Sequence, residues 1–410
     1  MEISEFNRKS IPNIIAAWAG LLTGPSVMIA ATTSFFILPW SKSFNLSRSE
    51  VSFILAVSPI IIAVCVAFAG QAMDRWGLRR VLIPGVIAFG VMQFVLSAAT
   101  VTWELVLATI LLSMAGAVTA TVGYSKLISL WFGKHRGTVL GICVALGVSA
   151  GQATMPHVTK YLIEIGGWRT AYRGIGAIIL LIGAPLIVLL MREPGRGGAV
   201  LVASSRAVVV GLTRAEALRK PVFWVLGIAI FLGSTSLFGT TTHAVPMLEE
   251  RGFSPGVAAD ALSLLFAGGI FGQFTVGFVA DRFNTPRITI PYFVSAWIGL
   301  MILHSAGQST VLLVGAFILG LGLGAETAMA AYLTSRYFGL KDFSSIYGLF
   351  FAGSSLGVFC GINLMGIMHD LTGSYAIMRY LFGATMGTAV ILISCLGPYV
   401  FARRQTVQET

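Results

Sequence analysis

The sequence predicts an all-α integral membrane protein with twelve transmembrane helices in two pseudo-symmetric six-helix bundles. Composition is the first observation behind this. Of the 410 residues, 56% are hydrophobic and only 10% charged, against roughly 25% charged in an ordinary soluble domain, so a water-soluble fold is excluded. The second is run length. Apolar runs recur along the whole chain, each on the order of 20 residues, enough at about 1.5 Å rise per residue to cross a hydrocarbon core about 30 Å thick. Only helices and closed barrels satisfy their own backbone there, and barrel strands would alternate polar with apolar residues. The third is an internal repeat. Gly70-Gln71-Ala72-Met73-Asp74-Arg75 returns as Gly277-Phe278-Val279-Ala280-Asp281-Arg282, and Trp131-Phe132-Gly133 with Gly141 returns as Tyr337-Phe338-Gly339 with Gly348, all offset by 206 or 207 residues. Two independent matches at one offset indicate a parallel duplication of a six-helix half.

Loops read from Pro, Gly and charge clusters place the first six spans near 14–39, 51–71, 81–99, 104–130, 137–162 and 169–191. The second six fall near 221–247, 257–280, 287–306, 309–335, 343–367 and 375–402. The predicted organisation is therefore an N-terminal bundle over 1–191, a cytoplasmic linker over 192–220 rich in Gly, Ser and Arg, and a C-terminal bundle over 221–410. Residues 1–14 carry Arg8 and Lys9 but no short apolar stretch with a small-residue cleavage site, so the first helix is expected to be a span and not a removed signal. Cys65, Cys143, Cys360 and Cys395 all lie in apolar runs without pairing or ligand spacing and read as small hydrophobes.

Charge fixes the expected orientation, because cytoplasmic loops near span ends are enriched in Lys and Arg. With both termini inside, 19 of the 27 basic residues fall on the cytoplasmic side, 7 outside, and Lys126 within a span. The acidic residues divide 8 inside and 7 outside, with Glu326 within a span, so the whole formal net charge of +11 faces the cytoplasm. The basic balance thus reports topology and contact with the anionic inner leaflet of a cell inner membrane. It gives no support to nucleic-acid binding.

The run Gly70-x-x-x-Asp74-Arg75-x-Gly77-x-Arg79-Arg80 closely resembles the loop signature between the second and third helices of the major facilitator superfamily. The resemblance implies the major facilitator fold. It also implies a cytoplasmic gate in which Asp74 caps and pairs with a neighbouring helix end while Arg75, Arg79 and Arg80 bind partners across the gap. The second copy, Asp281-Arg282, lacks the trailing Gly and Arg pair and implies a weaker gate. Further segments are similar to the oxalate/formate antiporter and monocarboxylate transporter branch: Phe36 to Val51 leading into Ser49-Glu50-Val51-Ser52, Trp131-Phe132-x-x-x-Arg136-Gly137, His243-x-x-Pro246, and His369-Asp370-x-x-Gly373-x-Tyr375. That branch implies small organic anions moved with protons or a counter-anion. One departure is plain. Where carboxylate carriers of the branch place an Arg, four residues before the Gly that closes the eighth span, this chain has Gln273, and Gly269 stands where an Asp is frequent.

A charge at mid-bilayer costs about 2.5 to 3.5 kcal/mol even on insertion scales, so each intramembrane ionisable group is a candidate functional residue. Glu326 lies ten residues before Arg336, about 15 Å from the cytoplasmic end. Its functional reading is proton coupling, since a desolvated carboxyl holds its proton until a cation or substrate approaches; the alternative is a hydrogen-bonded structural Glu. Lys126, five residues before Trp131, reads as an anion-binding ammonium, a partner for Glu326, or a side chain that snorkels to the inner interface. His243, near the outer end of the seventh span, suits substrate binding or proton sharing, or a plain helix-end hydrogen bond. Tyr124, Gln152, Thr241, Gln273, Tyr332 and Asn363 are weaker polar candidates for which helix-to-helix hydrogen bonding is the competing use.

The expected function is secondary active transport of a small organic anion, a monocarboxylate or aromatic acid, coupled to protons through Glu326. Lys126, His243, Gln273, Tyr124, Tyr332 and Asn363 would contribute to the substrate site. The missing Arg at Gln273 keeps open an exporter of a neutral or lipophilic solute, and a transporter-like sensor without transport is a third reading. Nothing in the chain reads as a nucleophile with its base or a metal-ligand cluster, so no enzyme, no cofactor and no metal is expected. The expected partners are the substrate, a proton and the lipid bilayer, with a monomeric chain.

Overall fold

The computed structural model describes residues 10–132, 139, 143, 145–193, 211–283 and 285–401. Among them all regular elements are helices, with no strand and one isolated antiparallel bridge between Gly211 and Gly339. The helices are α1 Ile11–Leu22, α2 Pro25–Met28, α3 Ile37–Phe44, α4 Arg48–Trp76, α5 Leu78–Ser97, α6 Thr102–Val118, α7 Thr121–Trp131, α8 Ala150–Ile178, α9 Ala184–Leu190, α10 Arg214–Leu218, α11 Pro221–Thr242, α12 Ala244–Glu250, α13 Pro255–Arg282, α14 Ile290–Ser305, α15 Ser309–Phe338, α16 Phe343–Thr372 and α17 Met378–Ser394. Ten stretches of the described residues are long and apolar enough to span a bilayer, and α17 is a shorter apolar helix. One stretch, Gly147–Leu190, is 44 residues long and turns a corner at Gly166 and Gly167, where Gly167 has φ 74°. Its two arms account for two spans, which gives the twelve that hydropathy predicts.

Local chemistry sets the breaks. The first predicted span is not one rod: Thr23 turns its hydroxyl back to the Ala19 carbonyl, Gly24 is extended, and Pro25 opens α2, where its missing N–H costs nothing. Helix α4 starts on a capping box, with the Ser47 hydroxyl accepting from the Glu50 N–H while the Glu50 carboxylate accepts from the Ser47 N–H. It ends at Gly77, whose φ of 94° disfavours any residue with a Cβ. Residues 133–138, which hold Gly133, Arg136, Gly137 and His135, lie outside the described residues, as do Gly141, the linker over 194–210, and Arg8 and Lys9.

Backbone contacts divide the chain into two compact units. Unit 1 comprises Met1–Ala203, Thr241–Ser263 and His369–Leu371. Within it α4 and α5 pack on α6, and α5 also packs on α8. Unit 2 comprises Ser204–Thr240, Leu264–Met368 and Thr372–Thr410, with α14 packed between α15 and α17. The predicted halves, 1–191 and 221–410, describe the repeat, whereas the units describe contact. Two short segments of the second half, 241–263 and 369–371, belong by contact to unit 1.

Close helix approach in unit 2 depends on glycine. A Cβ on Gly320 would stand 1.9 Å from the Leu265 carbonyl oxygen, and one on Gly324 1.9 Å from that of Gly269. Backbones of α13 and α15 therefore touch directly, the small-residue packing that membrane helices use in place of a hydrophobic driving force.

Candidate functional site

Helix α15 is 30 residues long, about 45 Å at 1.5 Å per residue, and Glu326 lies a little past its midpoint. The Glu326 side chain is buried. The Ser234 hydroxyl of α11 donates to its Oε1 at 2.8 Å, and Ser234 Oγ is 2.8 Å from Ser354 Oγ of α16. With the Ser234 proton on Oε1, the Ser234 oxygen is free to accept from Ser354. The other oxygen, Glu326 Oε2, is buried without a hydrogen-bond partner among the described residues. Gly233 faces the carboxyl group, where a Cβ would stand 3.3 Å from Oε1. Three helices of unit 2 thus build a carboxyl site with one oxygen satisfied and one open. Burying an unpaired carboxylate is costly, so the open oxygen needs a proton, a cation or a donor group brought to it.

Lys126 of α7 forms a hydrogen-bonded ion pair with Asp74, near the C-terminal end of α4. Both side chains remain partly accessible, Lys126 at 33% and Asp74 at 71%, so the pair is screened. None of the three sequence readings for Lys126 named this partner. A signal existed: Lys126 and Asp74 each lie within about a turn and a half of the end of their helix, on the side that carries the loop from Gly77 to Arg80. Beyond Gly77 the loop is held by Glu193, whose carboxylate accepts from the Arg79 N–H at the start of α5. The Arg79 guanidinium donates to the Val188 carbonyl at 2.9 Å. Arg75 and Arg80 are exposed, as is Arg282. Gly70 faces open space, with nothing within 4 Å of a built Cβ. The Asp281 side chain lies outside what is described.

His243, fully buried between α11 and α12, puts Nε2 3.1 Å from Ser52 Oγ of α4. This cluster belongs to unit 1 and stands at the end of α4 opposite Asp74. Around it, His369 Nε2 is 3.2 Å from a Glu250 carboxylate oxygen, and the Val245 N–H donates to Ser34 Oγ at 2.8 Å. Burial pushes the nearby Glu249 carboxyl above its ordinary range, opposed by the positive charges of Lys42 and Arg48.

The remaining candidates are scattered. Tyr124 is fully buried and stacked on Gly20, its hydroxyl without a partner among the described residues. Gln152 donates to the Ser26 carbonyl at 2.9 Å, Asn363 to the Phe359 carbonyl of its own helix at 2.8 Å, and Tyr332 to the Ala280 carbonyl at 3.1 Å. Gln273 is partly buried on α13 and Thr241 is buried. Within unit 1 a cavity of about 20 Å³ lined by Thr32, Ser58, Thr109 and Tyr172 has room for about one water and none for an organic acid. Sequence reasoning missed Ser234 and Ser354, which are unremarkable in composition. It also used Arg336 only as a depth mark. The structure buries Arg336, with its guanidinium 4.9 Å from the Tyr399 ring and 5.8 Å from that of Tyr332.

Comparison with known proteins agrees with this architecture. The Major Facilitator Superfamily model matches residues 21–309 and 244–409. The chain is 24% identical to the MFS transporter asaE of Aspergillus flavus, over 91% of this chain and 87% of that protein. It is 23% identical to the 4-hydroxybenzoate transporter PcaK of Pseudomonas aeruginosa, over 88% of each. Among solved structures, a bacterial homologue of the human lysosomal transporter Spinster superposes with a TM-score of 0.73 at 18% identity, covering 95% of this chain and 96% of that one; at that identity the likeness concerns the fold. Twelve apolar spans, the duplicated Asp-Arg loop and a family match across nearly the whole length lead to one conclusion: the chain belongs to the Major Facilitator Superfamily and is a transporter, not an enzyme.

Proposed function

We propose that this transporter carries a small organic anion, a monocarboxylate or aromatic acid, across the inner membrane by alternating access, with Glu326 carrying the coupling proton. The observation that supports the reading most directly is the buried carboxyl near the middle of α15, with Oε1 held by Ser234 and Oε2 open. A group so placed is stable when protonated and must be compensated when it is not, so loading and unloading its proton is tied to what else reaches the site. The anion class is supported by the segments that resemble the oxalate/formate and monocarboxylate branch, and by the aromatic acid in the name of the Pseudomonas aeruginosa relative.

A second reading, export of a neutral or lipophilic solute, is favoured by two observations. Gln273 replaces the expected Arg, and Lys126 is engaged with Asp74. Purified protein in liposomes separates the two. Uptake of labelled monocarboxylates and hydroxybenzoates is measured with and without an inward proton gradient, in the parent and in Glu326→Gln. The proposal expects gradient-driven accumulation of at least one acid, lost in Glu326→Gln while exchange of that acid across the membrane persists. Transport of no acid in the panel, or accumulation indifferent to Glu326→Gln, would sink it and leave the exporter reading.

A further inference from the structure

The first turn of a helix leaves four backbone N–H groups without intrahelical partners. At α4 these belong to Ser47, Arg48, Ser49 and Glu50. The capping box closes two of them, since the Ser47 N–H donates to the Glu50 carboxylate at 2.8 Å and the Glu50 N–H to Ser47 Oγ at 3.2 Å. The other two are closed from far away in sequence. The Arg48 N–H donates to Asp370 Oδ1 at 3.0 Å and the Ser49 N–H to Asp370 Oδ2 at 2.8 Å. One carboxylate from the second repeat therefore completes the cap of a helix in the first, and its negative charge sits at the positive end of a 29-residue helix dipole.

The same face carries two more ties between the repeats, all inside unit 1: His243 to Ser52 at 3.1 Å and the Val245 N–H to Ser34 Oγ at 2.8 Å. At the far end of α4, about 40 Å away at 1.5 Å per residue, Asp74 pairs with Lys126, which lies in its own repeat. The two ends of one helix thus make different kinds of contact. We propose that Asp370 is a latch: its carboxylate holds the second repeat on the N-terminus of α4, and that face of the transporter opens only when the carboxylate leaves the Arg48 and Ser49 N–H groups.

Geometry favours a latch over a fixed weld. The bonds lie at an exposed position, so water can replace the carboxylate on both N–H groups and release does not strand buried donors. The capping box stays in place meanwhile and keeps the start of α4 folded. His369, next in sequence, is braced by Glu250, which orients the turn that presents Asp370.

The latch is tested without knowing the substrate. A reporter cysteine replaces Val245, which is buried and reaches Ser34 through its backbone N–H. Cys65, Cys360 and Cys395 are replaced, and buried Cys143 is retained as an internal control. Cells or oriented vesicles are treated with a membrane-impermeant maleimide from the Arg48 face. Asp370→Asn is expected to raise the labelling rate at position 245 roughly ten-fold, the scale of one lost charge-assisted hydrogen bond, with Cys143 still protected. Ser49→Pro removes one N–H donor in a first turn that tolerates proline, and is expected to act in the same direction should Asp370→Asn fold poorly. Unchanged labelling in either well-folded variant overturns the latch. Parallel exposure of Cys143 also overturns it, because that would show general loosening instead of the opening of one face.

Discussion

Glu326 and Lys126 are both ionisable groups inside spans, yet their surroundings differ. Glu326 has one oxygen on Ser234 and one left open. Ser234→Ala removes the only described donor to the buried carboxyl, and interhelical bonds of this kind average about 0.6 kcal/mol with a maximum near 1.7. A small drop in detergent melting temperature is expected, together with a larger change in the dependence of uptake on the proton gradient, because the carboxyl would then be held by nothing but its proton. A change in melting alone would make Ser234 structural. Lys126 predicts differently. A pair this exposed is worth at most about 1 kcal/mol, so Lys126→Gln and Asp74→Asn should each leave stability nearly unchanged. If their shared task is the gate loop, their effects on uptake rate are non-additive in the double variant. Full additivity would return Lys126 to an independent anion site. Glu326 was legible in the sequence because a lone carboxyl in an apolar run needs no partner to be conspicuous. The pairing of Lys126 with Asp74, and of Asp370 with α4, was not legible, since each depends on which helices become neighbours across 52 and 322 residues.

At the scale of elements, run length and glycine carried most of the fold. The corner at Gly166 and Gly167 falls where loop chemistry predicts it, and Gly77 ends α4 where the loop signature predicts a turn. Within the first span hydropathy averages over Thr23, Gly24 and Pro25, which interrupt the helix without making it polar. Glycine abundance says that helices approach closely but not where. The contact of α13 with α15 makes this specific: Gly320→Ala or Gly324→Ala pushes a methyl group into a carbonyl 1.9 Å away. Overpacking of this kind costs about 1 to 3 kcal/mol, and a clear fall in thermal stability in detergent is expected. Gly348→Ala and Gly353→Ala, with nothing within 4 Å, are the controls and should be neutral. Equal behaviour of the two pairs would mean that α13 and α15 are not in backbone contact.

For the whole molecule, topology follows from charge and can be checked at two loops. Nineteen basic residues on one side against seven on the other predict that the loops after Asp74 and around Asp342 face the cytoplasm and that the loop holding Arg251 faces outside, because translocating Lys and Arg is disfavoured. The residues tested are exposed ones. Ser254→Cys lies just past Arg251 and Lys341→Cys just before Asp342, each placed in a chain without its native cysteines. In intact cells an impermeant thiol reagent is expected to label position 254 and spare position 341, and permeabilisation should make position 341 reactive. The reverse pattern would place the Asp74 loop outside and turn the molecule over. Glu326 would keep its depth under that inversion, but the latch at Asp370 would then close the cytoplasmic face and the loop signature the outer one. The two labelling rates therefore decide which side of the membrane the Asp74 and Asp370 contacts each face.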